Sequence, residues 1–384
     1  MKVERGVELL DFDQGTARVV ARFRRSGGSE ERCDTAYLAG CDGAHSTVRE
    51  TLGIGFPGGT YEHLFYVADV DARGPAVNGE LHASLDKAEF VAIFPLKGDR
   101  RVRFVGVVRE EAATKEEALT WDDVSKDLLG RMRLDVERVN WFSTYRVHHR
   151  VADRFQKGRA FLLGDAAHIH SPVGGQGMNT GIGDAVNLAW KLAAALRGGT
   201  SALAETYEAE RVAFARRLVA TTDRAFTIIT SRGPRARWVR LSVAPRVIPI
   251  LASRKAVRRL MFRTISQTTI HYRSSPLSVG AAGRVRGGDR LPWVPLDGAD
   301  DNFTPLASLD WQLHVYGDAP AEIVEVCRQR RLALHVFPWQ DTMRRPGLRR
   351  HAGYLIRPDG HVGLAEPRAD AAKLQAYLDE RGLR

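Results

Sequence analysis

Apolar and polar residues alternate from the start of the chain, and the alternation predicts strands over 3–12, 16–23 and 33–41. Ser26, Gly27 and Gly28 supply a turn between the last two. From 61 to 109 the texture stays β: LFYVADV, GELHASL, EFVAIFPL and RVRFVGVV are divided by Gly, Pro and charged residues, which predicts an antiparallel sheet. A polar helix is expected near 115–131, a strand near 140–148, and then a short buried run, AFLLGD. Beyond it the spacing turns helical. Residues 176–196 carry apolar side chains at helical intervals and stop at Gly198 and Gly199, and 203–230 reads as a longer amphipathic helix. Residues 276–296, rich in Gly, Pro and Arg, read as a linker. In the remainder, QLHVYG and LALHVFP flank the helix AEIVEVCRQRR as a βαβ unit. GYLIRPDGHVGLA then reads as a hairpin turning at Pro358, Asp359 and Gly360, followed by a closing helix.

A length of 384 residues is comfortable for two domains, and 44% apolar with 27% charged residues is ordinary for a globular chain. The N-terminus has no apolar signal-like run, and no window approaches the ~18 apolar residues of a membrane span. Three scattered cysteines, Cys33, Cys41 and Cys327, make no disulfide framework, so a reducing cytoplasm is the expected compartment. The net charge of +11 is concentrated: ten Lys or Arg and no Asp or Glu fall between Arg232 and Arg263, leaving about +1 elsewhere. That segment reads as a solvated helix pair packed between two domains, or as an amphipathic surface making weak contact with anionic lipid. No nucleic-acid module accompanies it, so no nucleic-acid partner is expected.

The strongest chemical signal is GRAFLLGDAAHIHSPVGGQGMNTGIGDAVNLAWKLAAAL, over 158–196. A buried strand ends at Gly164-Asp165, a loop passes Pro172, and Gly174-Gly175-Gln176-Gly177 opens a long helix. A carboxylate at a strand end can accept hydrogen bonds from the hydroxyls of a sugar-like chain. Glycines at a helix start let the backbone approach a flat ligand, and the free N–H groups there favour negative charge. This stretch resembles the second FAD-binding motif of the FAD-dependent aromatic hydroxylases of the para-hydroxybenzoate hydroxylase type. The resemblance implies that Asp165 binds the ribityl chain and that the Pro172 backbone lies by the reacting edge of the flavin. It also implies that the backbone at Gly177, Met178 and Asn179 holds the pyrimidine end. Gly183 departs from the pattern, since relatives usually carry a longer polar residue there. Gly within a helix costs about 1 kcal/mol relative to Ala.

A second segment, LAGCDGAHSTVRETLGI, sets the turn Asp42-Gly43 between a strand and a helix beginning near His45 or Ser46. It resembles the DG motif of the same family. The resemblance places Asp42 and Gly43 at the flavin and nicotinamide pyrophosphate region, with Ser46 and Arg49 supporting the turn. The histidines have no Cys, Asp or Glu at ligand spacing, so no metal site is expected. Tyr145, His148, His149 and His170 are all candidates for a general base that removes a phenol proton, and Phe65, Phe90, Phe94 and Phe104 suit an apolar aromatic pocket.

The fold implied is mixed α/β. A Rossmann-like FAD-binding domain, lacking its first part, carries an inserted antiparallel substrate-domain sheet, and a small thioredoxin-like domain follows. The expected divisions are 1–60 and 151–230 for the FAD-binding domain, 61–150 for the substrate domain, 231–275 for the basic helices, 276–296 for the linker and 297–384 for the appendage. Cys327 has no partner at redox spacing, so the appendage reads as structural or as a homodimer surface. The family opens with GxGxxG, which cradles the FAD pyrophosphate. That motif does not follow a strand anywhere here, and the expectation is that a preceding segment supplies it and that these residues alone hold FAD less tightly. The activity implied is hydroxylation of an aromatic substrate with FAD, NADH or NADPH, and dioxygen. The alternative is a non-catalytic remnant of such an enzyme, with a scaffold or binding role.

Overall fold

The computed structural model describes residues 3–86, 89–108, 119–124, 126–171, 175–230, 233, 238–296 and 300–383. The opening strands β1 (Val7–Gln14), β2 (Val19–Arg25) and β3 (Glu30–Thr35) form an antiparallel sheet of their own. Residues 33–41, which alternate as if one strand, break at Ala36 and Tyr37. The second half becomes β4 (Leu38–Gly40), which joins a different sheet, and helix α1 (Thr47–Thr51) follows. Alternation does not reveal which partner a strand takes. Here the backbone must leave the hairpin to pair beside a strand more than a hundred residues away.

The long strand β5 (Gly58–Arg73) starts an antiparallel sheet completed by β6 (His82–Asp86), β7 (Glu89–Pro95) and β8 (Arg101–Val107). Of the expected polar helix only α2 (Lys126–Arg131) and a 3-10 turn at Trp121–Asp123 fall within the described residues. Strand β9 (Asp135–Val151) pairs along most of β5. Alternation on β8 buries Val102 and Phe104 against Tyr66, Val70, Val91 and Leu134 on one face of this sheet.

Next come β10 (Gln156–Lys157), β11 (Ala160–Leu162) and β12 (His168–Ile169). β11 sits between β10 and β4, whereas β12 pairs with β9 and fastens the two sheets to each other. Helices α3 (Gly177–Leu196) and α4 (Ala202–Thr230) pack behind β11, where Leu188 and Tyr207 share a core with Phe12, Val48, Phe155 and Phe161. The basic segment forms a π-helical turn at Val239–Val243 and helices α5 (Ala244–Ser253) and α6 (Lys255–Ile265). These helices are not sandwiched between other units as a packed pair would be: almost all of their described side chains are exposed.

The stretch expected as a linker instead supplies β13 (Val279–Ala282) and β14 (Val285–Arg286). Both belong to a six-stranded sheet with β15 (Gln312–Tyr316), β16 (Ala333–Phe337), β17 (Ala352–Ile356) and β18 (Val362–Glu366). Short strands punctuated by glycine carry too little alternation to stand out; β13 is made a strand by pairing with β14 at Ala281 and Ala282 and with β18 at Val279 and Gly280. Helices α7 (Ala321–Arg330) and α8 (Ala371–Glu380) cover this sheet, and Cys327 is buried in the core between them, as expected for packing. Among the described residues no helix is long and apolar enough to cross a membrane.

Candidate functional site

β4 and β11 run parallel, with Leu38 beside Ala160 and Gly40 beside Leu162. The loops after them therefore leave the sheet on the same side, and a crevice beyond the carboxyl ends of parallel strands is where α/β sheets bind ligands. Between those loops and the start of α3 lies a cavity of about 690 Å³, within the ~300–1,000 Å³ typical of small-molecule sites. Of the sequence-predicted residues, Gly43, Asp165, Gly175, Gly177 and Met178 line it. Asp42 adjoins the wall and turns Oδ2 to the Val48 N–H at 3.0 Å. Asn179 is exposed in the first turn of α3. Gln176 precedes that helix, and its side chain accepts from Gln267 Nε2 at 3.4 Å. Pro172 and Gly174 lie outside the described residues.

Two properties of this wall are chemical. The first turn of α3 has no side-chain cap, so its leading N–H groups are not taken by a capping side chain and carry the positive end of the helix dipole. Asp165 sits on a 3-10 turn (Gly164–Ala166) with its side chain exposed, and no hydrogen bond or ion pair engages its carboxylate among the described residues. The loop meets the helix backbone to backbone: a Cβ on Gly181 would stand 3.3 Å from the Gly164 Cα, and Gly164 has φ +57°. A larger residue at 181 would crowd the loop against α3, and one at 164 would be strained by its left-handed backbone.

Arg49 joins the two motifs. Its guanidinium donates to the Ala44 carbonyl at 2.8 Å and to the Ala166 carbonyl at 3.0 Å, and it stacks 4.0 Å from the centre of the Phe56 ring. Ser46 caps α1 by accepting from the Arg49 N–H at 2.9 Å, so the residues expected to support the turn do so.

The sequence reading missed Asp184. This fully buried carboxylate accepts from the Gly164 N–H at 2.9 Å, lies 2.8 Å from His168 Nε2, and receives Arg211 Nε at 2.5 Å. Burial would raise its pKa, but Arg211, His168 and the Gly164 N–H together hold it below the ordinary value. The glycine at 183 now has a physical reason. A Cβ there would stand 3.3 Å from Arg211 Nη2, so the missing side chain leaves room for the guanidinium that holds Asp184. The buried face of α3 includes Thr180, Asp184, Asn187 and Lys191, whereas Met178, Ile182 and Val186 are 75%, 53% and 49% exposed. Apolar periodicity located the helix but did not show that polar side chains share its buried face with Leu188. The available signal was the i, i+4, i+7, i+11 spacing of those polar residues.

A second buried cluster ties α3 and α4 to the β17–β18 hairpin. Glu210 accepts from Arg357 at 2.7 and 2.9 Å, from Lys191 at 2.8 Å, and from Asn187 and Ser275 at 2.6 Å each. Arg357 also donates to Asp359 at 2.6 Å. Burial opposes the charges on Asp184, Glu210 and Asp359, yet their cationic partners hold all three below the ordinary carboxylate range. A carboxylate with a lowered folded pKa adds stability that is fully present above its unfolded value and lost as pH falls through the folded one. The urea midpoint should therefore start to drop below about pH 4. Glu210→Gln, measured over the same pH series, should flatten that drop.

The base candidates separate. His170 lines the cavity, whereas Tyr145, His148 and His149 do not stand on its wall. The His170 Nδ1 is 2.8 Å from the Ser171 carbonyl and must carry the proton, which leaves Nε2 as an acceptor; that atom is buried, with no partner among the described residues. Burial lowers its pKa, so the ring is neutral near pH 7. His148 Nδ1 is 2.7 Å from Thr60 Oγ1, and His149 packs on Tyr61 with ring centres 4.7 Å apart. Phe65, Phe94 and Phe104 do not share a pocket, because β-strand alternation sends Phe65 and Phe104 to opposite faces and Phe94 is exposed. Phe65 packs with Tyr145 and Phe226, Phe104 lies on the opposite face by Trp121, Phe94 is exposed, and the Phe90 side chain lies outside the described residues.

Residues 1–222 match the family model described as an FAD binding domain. A flavin-dependent monooxygenase of Mycobacteroides abscessus is 33% identical, the match covering 94% of this chain and 70% of that protein. The 6-methylpretetramide 4-monooxygenase of Streptomyces rimosus is 36% identical over 98% of this chain and 72% of its own. Among solved structures, the anhydrotetracycline hydroxylase OxyS of Streptomyces rimosus superposes with a TM-score of 0.77 at 27% identity, over 100% of this chain and 76% of that one. A helix start and a strand-end carboxylate facing one cavity, in a chain so matched, leave one assignment: the protein belongs to the FAD-binding-domain family of FAD-dependent aromatic-ring monooxygenases.

Proposed function

We propose that the cavity between β4, β11 and α3 takes the ribityl and ring portions of FAD, and that the substrate is a phenolic or fused-ring aromatic compound. The observation that carries this reading is the convergence of the unengaged Asp165 carboxylate and the uncapped start of α3 on one cavity wall. Asp165 accepts hydrogen bonds from ribityl hydroxyls. The N–H groups of Gly177, Met178 and Asn179 face the pyrimidine edge, where the helix dipole favours the negative charge of a reduced ring. Gly43 and Gly175, both at positive φ, let the backbone approach a flat ligand. Asp42 holds the turn beside it, Gln176 stands before α3, and the reading extends to Pro172 and Gly174. His170 lines the same cavity as a ring kept neutral near pH 7 by burial. Bound FAD supplies the chemistry of accepting a hydride and activating dioxygen, and the protein's part is binding, orientation and electrostatics.

Relatives named for a pretetramide and for pentachlorophenol support fused-ring and phenolic compounds as the substrate class. The test is a screen of such compounds on FAD-loaded protein. The expected result is that the right compound accelerates NADH or NADPH oxidation and gains one oxygen atom from labelled dioxygen. If every electron pair consumed emerged as hydrogen peroxide, whatever the aromatic, the substrate reading would fall.

A further inference from the structure

Helices α5 and α6 present an apolar surface that none of the described residues covers. On α6, Val257, Leu260 and Met261 follow i, i+3, i+4 spacing and share one face with Ile265, while Lys255, Arg259 and Arg263 lie on the other. On α5, Val247, Ile248 and Leu251 share a face opposite Arg246. These apolar residues are exposed, Leu260 at 64% and Ile248 at 57%; only Val257 is half-buried. Such a double amphipathic surface, with apolar side chains bared to solvent, marks an interaction site.

Charge decides its occupant. No Asp or Glu occurs between Asp223 and Asp289, and among the described residues no ion pair engages Arg246, Arg254, Lys255, Arg258, Arg259 or Arg263. A second copy docked by a two-fold axis would set this cationic strip against itself, which like charges disfavour. An anionic surface with an apolar interior satisfies both halves of the pattern at once. We infer that α5 and α6 dock the protein on the surface of a bilayer containing anionic phospholipid, with their apolar faces in the headgroup region and their arginines on lipid phosphates. The helices lie on the membrane and do not span it. The π-helical turn leading into them lies against edge strand β6, so docking brings the β5–β9 sheet to a phase in which apolar aromatic compounds concentrate. The inference is independent of how FAD is held.

The experiment is co-sedimentation of the whole chain with vesicles of phosphatidylcholine, alone or mixed with phosphatidylglycerol. The expected result is binding to the mixed vesicles only, lost as salt rises from about 0.1 M to about 1 M and the Debye length shrinks from about 10 Å to about 3 Å. Arg258→Glu with Arg259→Glu, and separately Leu260→Ser with Met261→Ser, should each lower the partition coefficient about tenfold or more. All four side chains are exposed, so unchanged urea midpoints are expected and serve as the folding control. No vesicle binding by folded protein at low salt would overturn the inference. So would equal binding to neutral vesicles, or self-association in sedimentation that Leu260→Ser with Met261→Ser abolishes while vesicles stay unbound.

Discussion

Replacing Glu210 by alanine is expected to lower stability by about 3–5 kcal/mol, the loss typical of breaking a buried ion pair from one side. The carboxylate is fully buried and takes hydrogen bonds from Arg357, Lys191, Asn187 and Ser275, which come from α3, the turn after β17 and the loop before β13. Without it Arg357 keeps Asp359, whereas among the described residues Lys191 keeps one hydrogen bond, to Asn187 Oδ1 at 2.8 Å. Lys191 has the least to spare. Burial already pulls its pKa down to about 8 against the opposing pull of Glu210, so the variant should hold it neutral near pH 7. Glu210→Gln keeps the shape and loses the charge, and it should fall between the two. Urea unfolding measures the difference as a change in midpoint at constant slope. A loss below about 1 kcal/mol would mean that water reaches the cluster and solvates the orphaned charges.

Asp165→Ala is expected to weaken FAD binding about ten- to a hundred-fold, the equivalent of about 1.5–3 kcal/mol for a charge-assisted hydrogen bond. Stability should hardly change, because no described residue bonds this carboxylate and its side chain is exposed. Asp42 differs: its Oδ2 holds the Val48 N–H, so Asp42→Ala should cost both folding and binding. Asp165→Asn retains an acceptor without the charge and should recover part of the affinity. Quenching of flavin fluorescence on titration measures all three variants. Unchanged affinity in Asp165→Ala, with the fold intact, would remove Asp165 from the ribityl role.

Much of this protein was legible along the chain. Alternation in 61–109 predicted the strands around β5, and helical spacing located α3 and α4 within a residue or two of their observed ends. The Asp42-Gly43 and Gly164-Asp165 turns could be placed because they combine local needs: a strand end, a tight turn and a helix start. What local pattern could not show was which side of an element turns inward. Met178, Ile182 and Val186 look like a core stripe, yet Asp184 and Lys191 take the interior because Arg211, Glu210 and Arg357 come from other elements to neutralise them. A buried charge is stable only beside partners that fold chemistry must deliver from a distance. The same holds for Gly183, a departure without a reason until Arg211 occupies the space beside it, and for β13, which joins its sheet by pairing with the distant β18. Spacing along the chain thus governs elements and turns, while burial, strand partners and the meeting of Asp165 with the start of α3 are settled only when distant segments pack.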